Sequence, residues 1–148
     1  MQMTFRWYGQ NDPVPLKNIR QIPGMSGVVS AVYEVQVGDV WPKENIEALK
    51  TAAAKNDLGF EVVESLPVHE DIKLGLTTRD KYIENDCENI RRLGKAGIKV
   101  ICYNFMPVFD WLRSDLAREL PDGSTTLAYD ASTVQAMNPA KGDLSLPG

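Results

Sequence analysis

Gly97-Ile98-Lys99-Val100-Ile101-Cys102-Tyr103-Asn104 is the stretch on which the fold reading turns. Val100, Ile101 and Cys102 form an apolar run of β-branched and small residues, the composition of a strand covered on both faces in a parallel sheet. Tyr103 and Asn104 then bring hydrogen-bonding groups to the strand's end. Phe105 to Trp111 continues as an aromatic, acid-bearing loop that includes Pro107 and Asp110. Ligand sites of α/β folds gather at the C-terminal ends of parallel strands, so this junction is the first place to look for chemistry.

Working towards the N-terminus, helix and strand signals alternate. Before Gly97, which suits the left-handed position after a last helical turn, a helix is predicted with Ile83, Cys87, Ile90 and Leu93 on one apolar face. Thr77 followed by Asp80 resembles a capping box, and Arg91, Arg92 and Lys95 place positive charge at the helix end, where the dipole favours it. Phe60 to Leu66 reads as a strand, and Pro67 opens a connection with the only histidine, His69. Ile46, Leu49 and Ala53 at i, i+3 and i+7 predict a helix over Lys43 to Asn56, started by Pro42. Gly27 to Val35 is a valine-rich strand. Leu16, Ile19 and Arg20 suggest a short helix ended by Pro23-Gly24, and Met3 to Tyr8 an aromatic-rich strand.

These units predict four adjacent parallel strands in chain order, which leaves an open doubly wound sheet or a (β/α)8 barrel. The whole chain has 148 residues, whereas a barrel needs about 250, so only its first half would be present. Beyond Pro107 the pattern changes. Leu112 to Leu120 reads as a short helix, Pro121-Asp122-Gly123 as a turn, Thr125 to Tyr129 as a short strand and Thr133 to Met137 as a helical fragment; residues 138–148 lack periodicity. The expectation is one domain: strands and helices over 1–106, then an irregular loop region and truncated end over 107–148.

A 43% hydrophobic and 24% charged composition is that of a globular protein. A net charge of -4 without a Lys/Arg block offers no footprint for nucleic acid or an anionic membrane surface. Cys87 and Cys102 fall in burying patterns and read as reduced core residues of a cytosolic protein, and no apolar run approaches the roughly 20 residues of a membrane span. Cytoplasm is the expected location.

Phe5-Arg6-Trp7-Tyr8-Gly9, Ile19 to Gly24, Glu64 to Lys73, Val100 to Trp111 and Asp122 to Asp130 together resemble the mannonate dehydratase family, a resemblance that runs through about Asp130. It implies a (β/α)8 barrel of the xylose-isomerase-like group, this chain supplying about the first four βα units. It also implies an Mn2+- or Fe2+-dependent lyase that dehydrates D-mannonate to 2-keto-3-deoxy-D-gluconate in hexuronate catabolism. Family chains are more than twice as long, and their His/Cys/His/Asp-type metal ligands lie in the C-terminal half. No metal ligand and no catalytic acid or base is therefore carried over, and the chain alone is expected to be inactive. A sugar isomerase or epimerase of the same barrel group is the alternative enzyme. A silent fragment that binds a partner or forms a homo-oligomer through an exposed sheet edge is the alternative of another class.

Seven residues are candidates for binding the sugar acid, each with a plainer reading beside it. Arg6 suits a bidentate grip on a carboxylate and Trp7 a stacking plate, against a rim ion pair and a packed aromatic. His69 could bond a hydroxyl, or be a solvated loop residue. Asn104 can both donate to and accept from hydroxyls, or fix a turn. Asp110 and Trp111 could embrace a sugar acid if Arg113 or a metal screens the carboxylate; the plainer reading is an Asp110–Arg113 ion pair. Cys102 reads as a core residue. Gly123-Ser124-Thr125 lacks the strand-to-helix context of a phosphate cradle, so no nucleotide is assigned.

Overall fold

The computed structural model describes residues 1–106 and 113–136. They fall into two units, one through Phe105 and one from Met106 onward. The first holds β1 (Met3–Arg6), α1 (Leu16–Arg20), β2 (Met25–Ser30), α2 (Lys43–Ala54), β3 (Gly59–Val63), α3 (Glu70–Lys73), α4 (Arg79–Lys95) and β4 (Val100–Ile101). The strands form one sheet in the order β1-β2-β3-β4, every pair parallel. A doubly wound sheet reverses direction at a switch point; strictly sequential order is that of successive barrel strands. The four strands expected from the sequence are thus adjacent and parallel, though shorter than read.

Each strand's two faces have different fates, because side chains alternate along it. Trp7, Val28, Ser30 and Val63 are buried, and the apolar ones join Ile19 of α1, Ile46 of α2 and Leu93 of α4 in one core cluster. Burying a residue such as Ile46 or Leu93 contributes about 1.5–3 kcal/mol, which is what holds the helices to this face. Arg6, Val29, Val62 and Val100 align in register across the sheet as a row on the other face. They are only partly buried, and Val100 is 50% exposed. The expectation that the Val100 strand is covered on both faces is not met among the described residues: β4 is the last strand of their sheet, and Val100 is half exposed. At the other end of the sheet Gly27 pairs with Gly59. A Cβ at Gly27 would stand 2.8 Å from the Gly59 carbonyl oxygen, so these strands meet there without room for a side chain.

α2 follows its predicted pattern, with Ile46 and Ala53 buried and Leu49 packed beside them. α4 departs from its own. Leu93 is buried as expected, but Ile83 and Ile90 are 42% and 50% exposed, and the second fully buried residue is Asn89. Nor does Thr77 cap the helix: the N-cap residue is Thr78, whose hydroxyl bonds the Asp71 carboxylate rather than the helix's own N–H groups.

The second unit holds β5 (Asp115–Glu119), β6 (Thr125–Ala128) and α5 (Ala131–Ala136). The short helix read over Leu112 to Leu120 is corrected to the strand β5, antiparallel to β6. So short a helix cannot repay its nucleation without a face to bury, whereas Pro121-Asp122-Gly123 closes a hairpin, with Asp122 Oδ1 accepting from the Ser124 N–H. Asp130 Oδ1 accepts from the Thr133 N–H at 2.8 Å and caps α5.

Candidate active site at the C-terminal rim

Parallel order puts the ends of all four strands on one rim, and the best-built cluster there centres on Arg6. Its Nη1 lies 2.9 Å from Glu64 Oε2, just beyond β3. Neighbouring strands lie about 4.8 Å apart, so the arginine spans the width of β2 to reach its partner. The guanidinium carbon sits 4.9 Å from the Tyr8 ring centroid, a cation–π contact. Its buried Nε has no hydrogen-bond partner among the described residues. Burial works against the charged form, but Tyr33, Glu64 and Tyr8 outweigh it and the Arg6 pKa is raised. Arg6 is thus a charged guanidinium held in a fixed orientation at the rim, and a fixed guanidinium is suited to recognising a carboxylate.

The backbone beneath is braced. Ser30 Oγ donates to the Trp7 carbonyl at 2.7 Å and the Tyr33 hydroxyl approaches the same oxygen at 3.4 Å. Trp7 itself is 3% exposed and packs in the core, so the plainer reading describes its contacts. Sequence reasoning missed Glu64, Tyr8 and Tyr33 as members of this cluster. A tyrosine next to a candidate arginine was a usable signal; Glu64 had none.

His69 is on the same rim, in the connection after β3, but its contacts are structural. Its Nδ1 accepts from the Asp71 N–H at 3.1 Å, capping α3. The ring stacks on Tyr82 of α4, centroids 3.6 Å apart and planes 12° from parallel. Gly38 closes in from the loop after β2: a Cβ there would stand 2.6 Å from Tyr82 Cδ1 and 2.8 Å from His69 Cδ2. Farther along α4, Asn85 donates to the Gly38 carbonyl, Asn89 accepts from the Trp41 N–H and donates to the Asp39 carbonyl, and Arg92 donates to the Trp41 carbonyl. One polar face of α4 thereby holds the loop from β2 to α2. Asp86 lies on it with a buried Oδ1 that has no hydrogen-bond partner among the described residues; burial pushes its carboxyl up, and His69 counters this only in part.

Asn104 is exposed beyond β4, at the rim the sequence predicts. Arg113 is partly buried and belongs to the second unit. Asp110 and Trp111 lie outside the described residues. Cys87 and Cys102 are free thiols, each partly buried. Among the described residues no three His, Cys, Asp or Glu side chains converge as metal ligands would, and His69 has already committed one ring nitrogen to a helix cap. No helix among them is long and apolar enough to cross a membrane.

The family profile described as D-mannonate dehydratase (UxuA) matches residues 1–144. The chain is 57% identical over all 148 residues to the mannonate dehydratases of Streptococcus uberis and Oceanobacillus iheyensis, and covers 42% of each. The crystal structure of mannonate dehydratase from Streptococcus suis serotype 2 superposes with a TM-score of 0.91 at 56% identity, over 97% of this chain and 41% of that one. The chain thus spans about two fifths of the length of these relatives, and its sequential parallel strands are their N-terminal portion. With the match running almost end to end, the chain belongs to the D-mannonate dehydratase family.

Proposed function

We propose that the chain forms the carboxylate-binding wall of a mannonate dehydratase, a hydro-lyase acting on D-mannonate in hexuronate catabolism in the cytoplasm. Arg6 carries this reading: a charged guanidinium held by Glu64 over Tyr8, at the strand ends where an α/β enzyme binds its substrate. Removing a proton next to a carboxylate builds negative charge on that group, and a fixed cation beside it lowers the cost. Asn104 is the second proposed contact on this unit, to the sugar acid's hydroxyls; Asp110, Trp111 and Arg113 are candidates on their sequence alone. The divalent metal of the family, Mn2+ or Fe2+, finds no fitting ligand set among the described residues, so no step is assigned to it here. The catalytic acid and base are assigned to the remainder of the barrel, and the 148-residue chain alone is expected to leave D-mannonate unchanged.

Binding tests this directly. In calorimetric or NMR titrations the chain should take up D-mannonate in preference to uncharged mannitol. Arg6→Ala should weaken that binding by about 10- to 150-fold, the 1.5–3 kcal/mol of a charge-assisted hydrogen bond. Equal binding of mannitol and mannonate, or an unchanged Arg6→Ala variant, would remove Arg6 from the site.

A further inference from the structure

The acid group that meets Arg6 in this structure is the chain's own. Glu64 reaches the guanidinium with one oxygen on one nitrogen, Oε2 to Nη1 at 2.9 Å, and its side chain is 54% exposed against 28% for Arg6. A carboxylate on an arginine at a strand-end rim has the chemistry and the place of the acid group that a sugar acid would bring. A second carboxylate on the same small cation stands close to the first and is repelled by it. Ligand and glutamate therefore compete for one guanidinium.

The supports of the two side chains decide which gives way. The Glu64 backbone is anchored, its N–H donating to the Ser30 carbonyl at 3.0 Å, so only the half-exposed side chain has to turn into water. A single-point ion pair with that exposure is weak, because water and salt readily replace it. Arg6 keeps its other contacts when the pair opens. The Tyr8 ring lies 4.9 Å from its guanidinium carbon, and that ring sits beside Tyr33, centroids 6.0 Å apart. Asp12 closes the loop behind Tyr8, its carboxylate accepting from the Tyr8 N–H at 2.7 Å and the Val14 N–H at 2.8 Å. The cation is thus supported from its own strand and from β2, independently of the glutamate after β3.

We propose that Glu64 is an internal competitor: it occupies the carboxylate subsite on Arg6 and is displaced when an anionic ligand binds, which makes it a determinant of affinity for the acid group. The inference rests on the reading of Arg6 as the carboxylate contact. It gives Glu64 a sign opposite to that of a residue that positions Arg6 for its ligand. Removing a positioning carboxylate weakens binding, whereas removing a competitor strengthens it.

The test is calorimetric titration of the 148-residue chain and its variants with D-mannonate. Glu64→Gln, which keeps the shape and removes the charge, should bind about three- to tenfold more tightly than the parent. Glu47→Gln removes an exposed carboxylate of α2 that pairs with Lys50; it should bind as the parent does, which excludes an effect of net charge. Glu64→Gln added to Arg6→Ala should bind no better than Arg6→Ala alone. The exchange is also read in the parent without the sugar: acetate should shift the carboxyl-carbon NMR signal of Glu64, and should leave it in place in Arg6→Ala. Equal or weaker binding by Glu64→Gln overturns the proposal, and so does a Glu64 signal that neither D-mannonate nor acetate moves. A parent that binds no D-mannonate, while acetate still moves the Glu64 signal, counts against the proposed function and leaves the exchange standing.

Discussion

Asn89→Ala should be among the most damaging single substitutions in the first unit, although the residue is polar and touches no proposed ligand contact. The side chain is 1% exposed, accepts from the Trp41 N–H at 2.7 Å and donates to the Asp39 carbonyl at 3.0 Å. Truncation strands both groups. The Trp41 N–H belongs to a residue only 2% exposed, so water cannot readily replace the lost partner; an unsatisfied buried donor costs about 1–3 kcal/mol. Asp39 is exposed and its carbonyl can hydrate, which limits that loss to about 1 kcal/mol. The expected total is about 2–4 kcal/mol, read as a lower urea midpoint with an unchanged slope, using the fluorescence of buried Trp7 and Trp41. Asn85→Ala is the internal control: it removes one 2.8 Å bond to the Gly38 carbonyl from a partly exposed side chain and should cost about 1 kcal/mol. A loss below about 1 kcal/mol for Asn89→Ala, or equal losses for the two variants, would refute the idea that α4 holds the β2–α2 loop through this amide.

Gly38→Ala should lower the melting temperature by an amount equivalent to about 2 kcal/mol or more, because φ is +86° and the new methyl meets Tyr82 and His69. Adding Tyr82→Ala should return only the steric share, and a double variant no better than the single would show that the contact is unimportant. Asp130 should titrate at about 2, lowered from 3.8 by hydrogen bonds from Ser132 and Thr133. Because its folded pKa lies below the unfolded value, the stabilisation of α5 is complete above about pH 4 and lost as the pH falls through about 2. A carboxyl NMR titration with an ordinary midpoint near 4 would contradict the cap.

The order and direction of the strands were legible because apolar runs alternate with helical periodicity, and a helix between two strands imposes parallel pairing. The flank of α4 was not. Ile83, Cys87 and Ile90 were read as one apolar face with Leu93, but of these only Leu93 is buried among the described residues, because periodicity gives a helix its apolar face without saying what packs on it. Asn89 was missed for the converse reason: a buried amide is invisible until the loop backbone it serves is in place. At the site, Arg6 stood out by charge and position, while Glu64 is an ordinary carboxylate after a valine run that gains meaning only when β2 sets the spacing between β1 and β3. His69 attracted attention as the lone histidine, yet its ring is held by Asp71 and Tyr82. The hairpin over 115–128 was misread on one arm because its strand β5 buries nothing and leaves little pattern to read.

The glycine contact at the foot of the sheet bears on how variation in this family should be interpreted. Gly27 allows β2 to pass the Gly59 carbonyl at a distance that excludes any side chain, so it will tolerate replacement as poorly as a residue that binds substrate. A mutational scan scored on growth would rank it beside Arg6, although one position would fail by collision and the other by loss of the proposed charge recognition. Melting curves separate them: Gly27→Ala should unfold early and, while folded, still bind the sugar acid, whereas Arg6→Ala should melt close to the parent and bind poorly. Intolerance to substitution in this part of the family's chain would therefore mark two ends of the same strands, only one of which carries the proposed site.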